Sequence, residues 1–455
     1  MTANSPATDS TAKSQSAALS ASVADTISGY RETPAFQKVI SSVVDDRASM
    51  FLTGDAGTGK STLLRRLLEE SRAKGRCVAV LAPTGCAAVN VGGQTIHSFF
   101  SIPPRFIAPQ EPIPPRNRQL LRDLDTLFVD EVSMVRSDVM SAVDRALRNA
   151  RREFGSPFGG LQVVLVGDLA QLPPVVRKEE AAFFGVEYPG AYFFQTGDFP
   201  RTHFFWVELR DPFRHQDDRF REILANLRRN ALTSADLDDL NQRVDERRDL
   251  GFRNSTVTLT GTNNAANDIN AMMLAQLPGR SITFEAIVEG TFPESFYPVD
   301  DLLLLKPDAK IMMARNDAAQ RWVNGTLGRV ANVEPGRVQV EIAGCLHLVE
   351  PETWDNIRYQ YDPGTRKITH DVVGTFTQLP IRLAWAMTVH KSQGQTLDRS
   401  HLEMRHRAFA HGQTYVALSR CRTLGGLTMA RPLRQSDVIV DPEAMGYRDY
   451  LQTLE

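Results

Sequence analysis

Gly54-Asp55-Ala56-Gly57-Thr58-Gly59-Lys60-Ser61 is the stretch from which the rest of this sequence can be read. It has the spacing G-x-x-x-x-G-K-[ST], preceded by the apolar run Met50-Phe51-Leu52 and followed by a helix-forming run from Thr62 to Glu70. Strand, glycine loop and helix in that order wrap backbone N–H groups around phosphates at a helix N-terminus, whose dipole favours an anion. Lys60 is then placed to reach the β- and γ-phosphates of ATP, and the Ser61 hydroxyl to ligate Mg2+. Gly57, Thr58, Gly59 and Thr62 belong to the same nucleotide cradle.

Outward from this loop, other apolar runs end in polar loops. Asp130-Glu131 follows Leu127-Phe128-Val129. The first carboxylate suits Mg2+ and the second suits polarising an attacking water. Gly167-Asp168-Leu169-Ala170-Gln171-Leu172-Pro173-Pro174 follows Val163 to Val166, and Gln171 is placed to sense the γ-phosphate. Upstream, Gln37 either reads adenine through its carboxamide or is a surface glutamine. Arg214 and Arg420 follow elements of a second lobe, and an arginine supplied across a cleft stabilises transferring phosphoryl charge. In a chain with 52 Lys+Arg, the choice of those two leans on the resemblance given below.

Alternating short apolar strands and amphipathic helices from Pro34 onward predict an α/β fold with parallel sheets. The expected organisation is a disordered Ala/Ser/Thr-rich tail (1–29), a first ATPase domain (30–200), a second α/β domain in two parts (201–279 and 376–455), and an inserted small β-barrel-like domain (280–375). The tail has no arginine, so it reads as a flexible lead rather than a targeting signal. Six prolines between Ile102 and Pro115 mark a rigid excursion over about 101–118. With 455 residues, 42% hydrophobic and 23% charged, the chain has ordinary globular composition. A formal net charge of −2 excludes a polybasic nucleic-acid coat, so any polyanion must meet local basic surface. No apolar run approaches a membrane span. Four scattered cysteines form neither a disulfide framework nor a zinc ribbon.

The ordered motifs carry a resemblance. Residues 54–61, Ala-Pro-Thr-Gly-Cys-Ala-Ala (82–88), Thr-Ile-His-Ser-Phe-Phe (95–100), Asp-Glu-Val-Ser-Met (130–134), Pro-Phe-Gly-Gly-Leu-Gln (157–162), 167–174, Thr-Val-His-Lys-Ser-Gln-Gly (388–394) and Tyr-Val-Ala-Leu-Ser-Arg (415–420) resemble superfamily-one helicases. The likeness is to Pif-type 5′-to-3′ DNA helicases, relatives of the RecD-type enzymes. It implies two RecA-like P-loop NTPase domains with ATP between them and single-stranded DNA across their tops. The proline-rich excursion would then be a wedge.

The resemblance further implies Lys60, Asp130, Glu131, Gln171, Arg214 and Arg420 as catalytic, Gly394 beside the nucleotide, and Ser61 and Asp130 at the metal. It implies DNA contacts from Pro83, Thr84, Gly85, His97, Ser98, Asn263, His390, Lys391 and Ser392; His97 beside Phe99-Phe100 could equally be a core histidine. One departure is visible, since His215 follows Arg214 where the family motif has glutamine. The expected partners are single-stranded and partial-duplex or fork DNA. The expected form is an intracellular, soluble chain (cytoplasmic if bacterial), monomeric without DNA. A related motor acting on RNA or within a recombination complex is the alternative. A GTPase-like switch is disfavoured because no NKxD tetrad is present.

Overall fold

A computed structural model describes residues 34–113, 117–197, 199, 203–210, 217–319, 321–362, 367–404 and 410–453. The expected 1–29 tail and Arg214 lie outside them. The first lobe is built on a parallel sheet of β1 (Met50–Gly54), β2 (Val78–Ala82), β3 (Gln94–Thr95), β4 (Thr126–Val129), β5 (Gln162–Val166) and β6 (Phe205–Leu209). Their order is β3-β2-β4-β5-β1-β6. Strands β1, β2, β4 and β5 are buried at every position, as covering helices on both faces require. The helix Lys60–Ala73 buries Leu63, Leu64, Leu67, Leu68 and Ser71, one stripe at three- and four-residue spacing.

Strand β6 pairs with β1 in register from Met50↔Phe205 to Gly54↔Leu209. The first sheet therefore runs past the boundary expected at 200, because β1 has a second edge to satisfy and this segment supplies it.

The second lobe begins with the helix Asp218–Arg228, whose Phe220, Ile223, Leu224 and Leu227 share a core with Val257 and Leu259, and continues through β7 (Val257–Thr260) and the helix Asn263–Gln276. The chain then leaves for an antiparallel insertion comprising β8 (Ile282–Glu285), β9 (Ile287–Gly290), β10 (Leu302–Leu305), β11 (Lys310–Met313), β12 (Leu327–Glu334), β13 (Arg337–Ile342), β14 (Cys345–Val349), β15 (Glu352–Asp362), β16 (Lys367–Gln378) and β17 (Ile381–Leu383). Its sheets are β14-β13-β12-β11-β17, β15-β16-β9 and β10-β8. The chain returns through β18 (Ala386–Thr388), β19 (Ser400–Leu402) and β20 (Leu427–Met429), which complete a parallel sheet of order β18-β7-β19-β20.

Two segments tie the lobes and their excursions down. In the proline-rich excursion, Ile102, Ile107 and Ile113 are buried in the first lobe's core. The amides of Phe106 and Ile107 donate to Glu180 (2.9 Å) and Asp138 (3.0 Å), and Arg136 bridges both carboxylates. The C-terminal helix Pro442–Gln452, expected with the second domain, instead packs Ala444, Tyr447 and Leu451 into the first lobe. Tyr447 stacks on Phe194 at 3.9 Å, because the aromatic cluster there is complementary to this helix's apolar face.

Candidate nucleotide and DNA site

Strands β4, β5 and β1 are neighbours, so the loops after them emerge side by side at the carboxyl edge of the sheet. This brings together Asp130-Glu131, Asp168 to Gln171, and the glycine loop. In that loop Gly57 and Gly59 have φ of 85° and 87°, left-handed values that favour glycine. Gly59 starts a 14-residue helix with no side-chain cap and no acid in its first turn. Its leading N–H groups therefore suit an anion. The Lys60 amine donates to the carbonyls of Gly54 (2.8 Å) and Asp55 (3.0 Å), and Thr58 Oγ1 donates to Asp55 O (2.9 Å). Ser61 is exposed, Thr62 is half-buried, and Gln37 is exposed on the helix Pro34–Ile40.

Asp130 is buried at the end of β4, and burial pushes its carboxyl up. Glu131 holds a left-handed conformation (φ 49°), and its amide donates to Asp130 Oδ1 at 2.9 Å. Burial first, and then the Asp130 charge, raise the Glu131 carboxyl to about 7. Gln171 is buried and donates to Asp168 Oδ2 at 3.2 Å. Burial also lowers the Lys60 amine, against the pull of Asp168. The chemistry available is a cation and backbone donors for phosphates, facing two acids fit for a metal and a water.

Arg420 is fully buried. Its guanidinium donates to Val416 O (2.9 Å), Ser419 Oγ (2.9 Å) and Ser392 O (3.4 Å). Burial lowers it to about 10, against the fields of Tyr415, Glu131 and Asp168. It thus belongs electrostatically to the site while its donors engage its own lobe.

Three residues absent from the sequence-based set complete the contact between lobes. Tyr415 accepts a hydrogen bond from the Ala56 amide inside the glycine loop (3.1 Å). His411 Nε2 lies 2.7 Å from Leu169 O, while its Nδ1 accepts from the Asp441 amide at 2.8 Å. Arg228, ending the helix Asp218–Arg228, pairs with Asp55 (2.7 Å), Glu208 (2.8 Å) and Asp168 (3.0 Å). Tyr415 stood first in a recognised motif and was within reach of sequence reasoning. Nothing local distinguishes Arg228 from Arg229.

The candidate DNA residues also emerge from neighbouring strands. Pro83, Thr84 and Gly85 follow β2, and His97 and Ser98 follow β3. Asn263 follows β7, while His390, Lys391 and Ser392 follow β18. Thr84, Ser98, Asn263 and Lys391 are exposed. His97 is half-buried with Nδ1 3.2 Å from Ile102 O, and burial lowers it, as it does His390. Two expectations shift. Ser392 is fully buried and its hydroxyl donates to Val389 O (2.7 Å), so it braces the loop and, through its carbonyl, Arg420. Gly85 is covered by the insertion, since a Cβ built there would lie 2.2 Å from the Phe296 ring. Gly394 has φ of 76° with open space around it.

A family profile described as PIF1-like helicase matches residues 31–184. ATP-dependent DNA helicase Pif1 of Bdellovibrio bacteriovorus is 31% identical over 411 residues, covering 88% of each chain. This chain belongs to the PIF1-like helicase family. Human ATP-dependent DNA helicase PIF1 is 32% identical over 399 residues, which is 83% of this chain but 58% of that protein. This family member thus spans under two thirds of its human relative.

The crystal structure of Bacteroides sp. Pif1 with ADP-AlF4 matches at a TM-score of 0.84 and 36% identity, covering 92% of this chain and 97% of that one. Bacteroides Pif1 bound to single-stranded DNA has the same identity and coverage but a TM-score of 0.66. The PIF1-like fold, with two parallel-sheet RecA-like lobes and antiparallel sheets inserted in the second, is therefore established for this chain. No helix among its described residues is long and apolar enough to cross a membrane.

Proposed function

We propose that this PIF1-like chain is an ATP-dependent DNA helicase that moves 5′-to-3′ on single-stranded DNA and unwinds duplex or forked DNA. The observation that carries this reading is the Tyr415–Ala56 hydrogen bond, a second-lobe side chain bonded to the glycine loop. Where one lobe touches the phosphate cradle of the other, nucleotide turnover becomes linked to lobe movement.

The residues fit ATP. The glycine loop offers backbone donors and Lys60 a cation, and a similar protein was crystallised with ADP-AlF4, which supports an adenine nucleotide as the ligand. Ser61 and Asp130 would hold Mg2+ together with phosphate oxygens; bound there, the ion would neutralise phosphate charge. Glu131 would accept a proton from the attacking water, and Gln171 and Arg420 would respond to the γ-phosphate. Arg214 keeps its proposed role from the motif alone.

A strand would cross the tops of both lobes, touching Pro83, Thr84, His97 and Ser98 on one side and Asn263, His390 and Lys391 on the other. Hydroxyls, an amide and a cation in such loops grip a backbone without reading sequence. Because Phe296 covers Gly85, the insertion must shift for a strand to use that loop. The looser match to the DNA-bound relative is consistent with such a shift. We further propose that the chain is soluble, intracellular and monomeric without DNA.

The test is a panel of partial duplexes carrying 5′ or 3′ single-stranded tails, with and without ATP. Unwinding that needs ATP and a 5′ tail is expected. A preference for 3′ tails would overturn the polarity, and ATP turnover indifferent to added oligonucleotide would overturn the motor.

A further inference from the structure

We propose that Arg228 is a positioning residue that makes triphosphate affinity of the glycine loop depend on the seating of the second lobe. This rests on the reading of the loop as an ATP site. Arg228 comes from the second lobe, whereas all its acid partners come from the first. Asp55 is in the glycine loop, Asp168 follows β5, and Glu208 lies in β6. The Arg228 side chain is 6% exposed, and Asp168 and Glu208 are equally enclosed at 0% and 7%. One guanidinium therefore bridges three carboxylates beside the phosphate cradle and offsets part of their charge.

The charge balance shows what this does. Asp55, Asp130, Glu131, Asp168 and Glu208 cluster here against Lys60, Arg228 and Arg420. Arg420 donates to its own lobe and Arg210 pairs with Glu208 at 3.5 Å, whereas Arg228 pairs directly with Asp55 of the loop and with Asp168. Asp168 already acts on the Lys60 amine. With Arg228 withdrawn, Asp168 would compete with phosphate for that amine, and Asp55 would repel the incoming polyanion. Arg228 need not touch the nucleotide for this to hold. A cavity of about 200 Å³, lined by Asp55, Glu208, Arg210, Arg228 and Arg229 among others, adjoins the cluster and leaves room for Asp55 and Arg228 to separate.

Asp55 provides the control. Its side chain is 37% exposed and it occupies a variable position of the loop motif, so Asp55→Asn removes a charge without opening a cavity. Equilibrium titration of a fluorescent non-hydrolysable ATP analogue into the full chain gives Kd for wild type, Arg228→Gln, Arg228→Lys, Asp55→Asn and Asp55→Asn/Arg228→Gln. Steady-state kcat and KM are measured alongside.

Arg228→Gln is expected to weaken the analogue by about tenfold or more, and to raise KM more than it lowers kcat. Arg228→Lys should recover part of the loss. Adding Asp55→Asn to Arg228→Gln should recover about threefold. Should Arg228→Gln fail to fold, Asp55→Asn alone carries the test, with tighter analogue binding expected. An unchanged Kd in folded Arg228→Gln, or the absence of any effect of Asp55→Asn in either background, overturns the proposal. A wild-type chain that binds no analogue would instead overturn the ATP reading on which it rests.

Discussion

Glu131→Gln should make the nucleotide-free protein more stable while abolishing ATP hydrolysis. The Glu131 carboxyl is raised from 4.5 to about 7 by burial and by the adjacent Asp130. Each pKa unit corresponds to ~1.4 kcal/mol, so ionised Glu131 carries up to ~3 kcal/mol of destabilisation. The side chain is partly exposed, and solvent reduces this to about 1–2 kcal/mol. A carboxyl whose folded pKa exceeds its unfolded one costs nothing at pH well below the unfolded value, where both states are protonated. It costs most above the folded value, where both are ionised. Glutamine keeps the shape and cannot ionise. Urea unfolding of both proteins at pH 8 should show the variant ahead by that amount, and the advantage should shrink by about half at pH 5.5. A variant no more stable than wild type at pH 8, or an advantage independent of pH, would refute the placement of Glu131 as a half-buried carboxyl raised by its surroundings and by Asp130.

Lys60→Ala should abolish DNA-stimulated ATP hydrolysis with little loss of stability, because the amine bonds backbone carbonyls of its own loop; ATPase assays and thermal melts read the two separately. Gly412→Ala should loosen the contact between lobes. It would put a Cβ 2.3 Å from Ala170 O at a φ of +69°, and DNA stimulation of ATP turnover should fall by about tenfold while the fold persists by circular dichroism. Lys310 is lowered to about 7 by burial, although its amine donates to Arg253 O and Thr256 O. Its charged form costs stability below pH 7, and that cost disappears as pH rises toward the ordinary lysine value. Wild type should therefore gain stability from pH 7 to 9, and a Lys310→Met variant should lack that slope in urea titrations.

Much of the first lobe was legible because its information is local. A parallel strand buried on both faces has to be an apolar run, and a phosphate loop has to carry glycines at left-handed positions. Met50-Phe51-Leu52 and Gly57/Gly59 therefore announce themselves. The insertion was visible as a change from helical to strand-and-turn texture. Less legible were associations whose two halves lie far apart in the chain. Strand β6 joins β1 across about 150 residues, and Tyr447 meets Phe194 across about 250, with no periodicity to signal either. Ser392 could not be placed from sequence either, since the inward turn of its hydroxyl onto Val389 O is set by the folded loop.

Read by itself, the sequence determined the chemistry of the site and the family of the chain, because cradling a triphosphate demands particular residue types at short, fixed spacings. Only the tertiary structure decided which charges face one another across the lobes. Arg228 and Glu208 are unremarkable along the chain, and they join the motif residues Asp55 and Asp168 only after the helix Asp218–Arg228 has packed against the first lobe. Electrostatic interaction depends on distance through the folded interior, and separation in sequence carries no record of that distance.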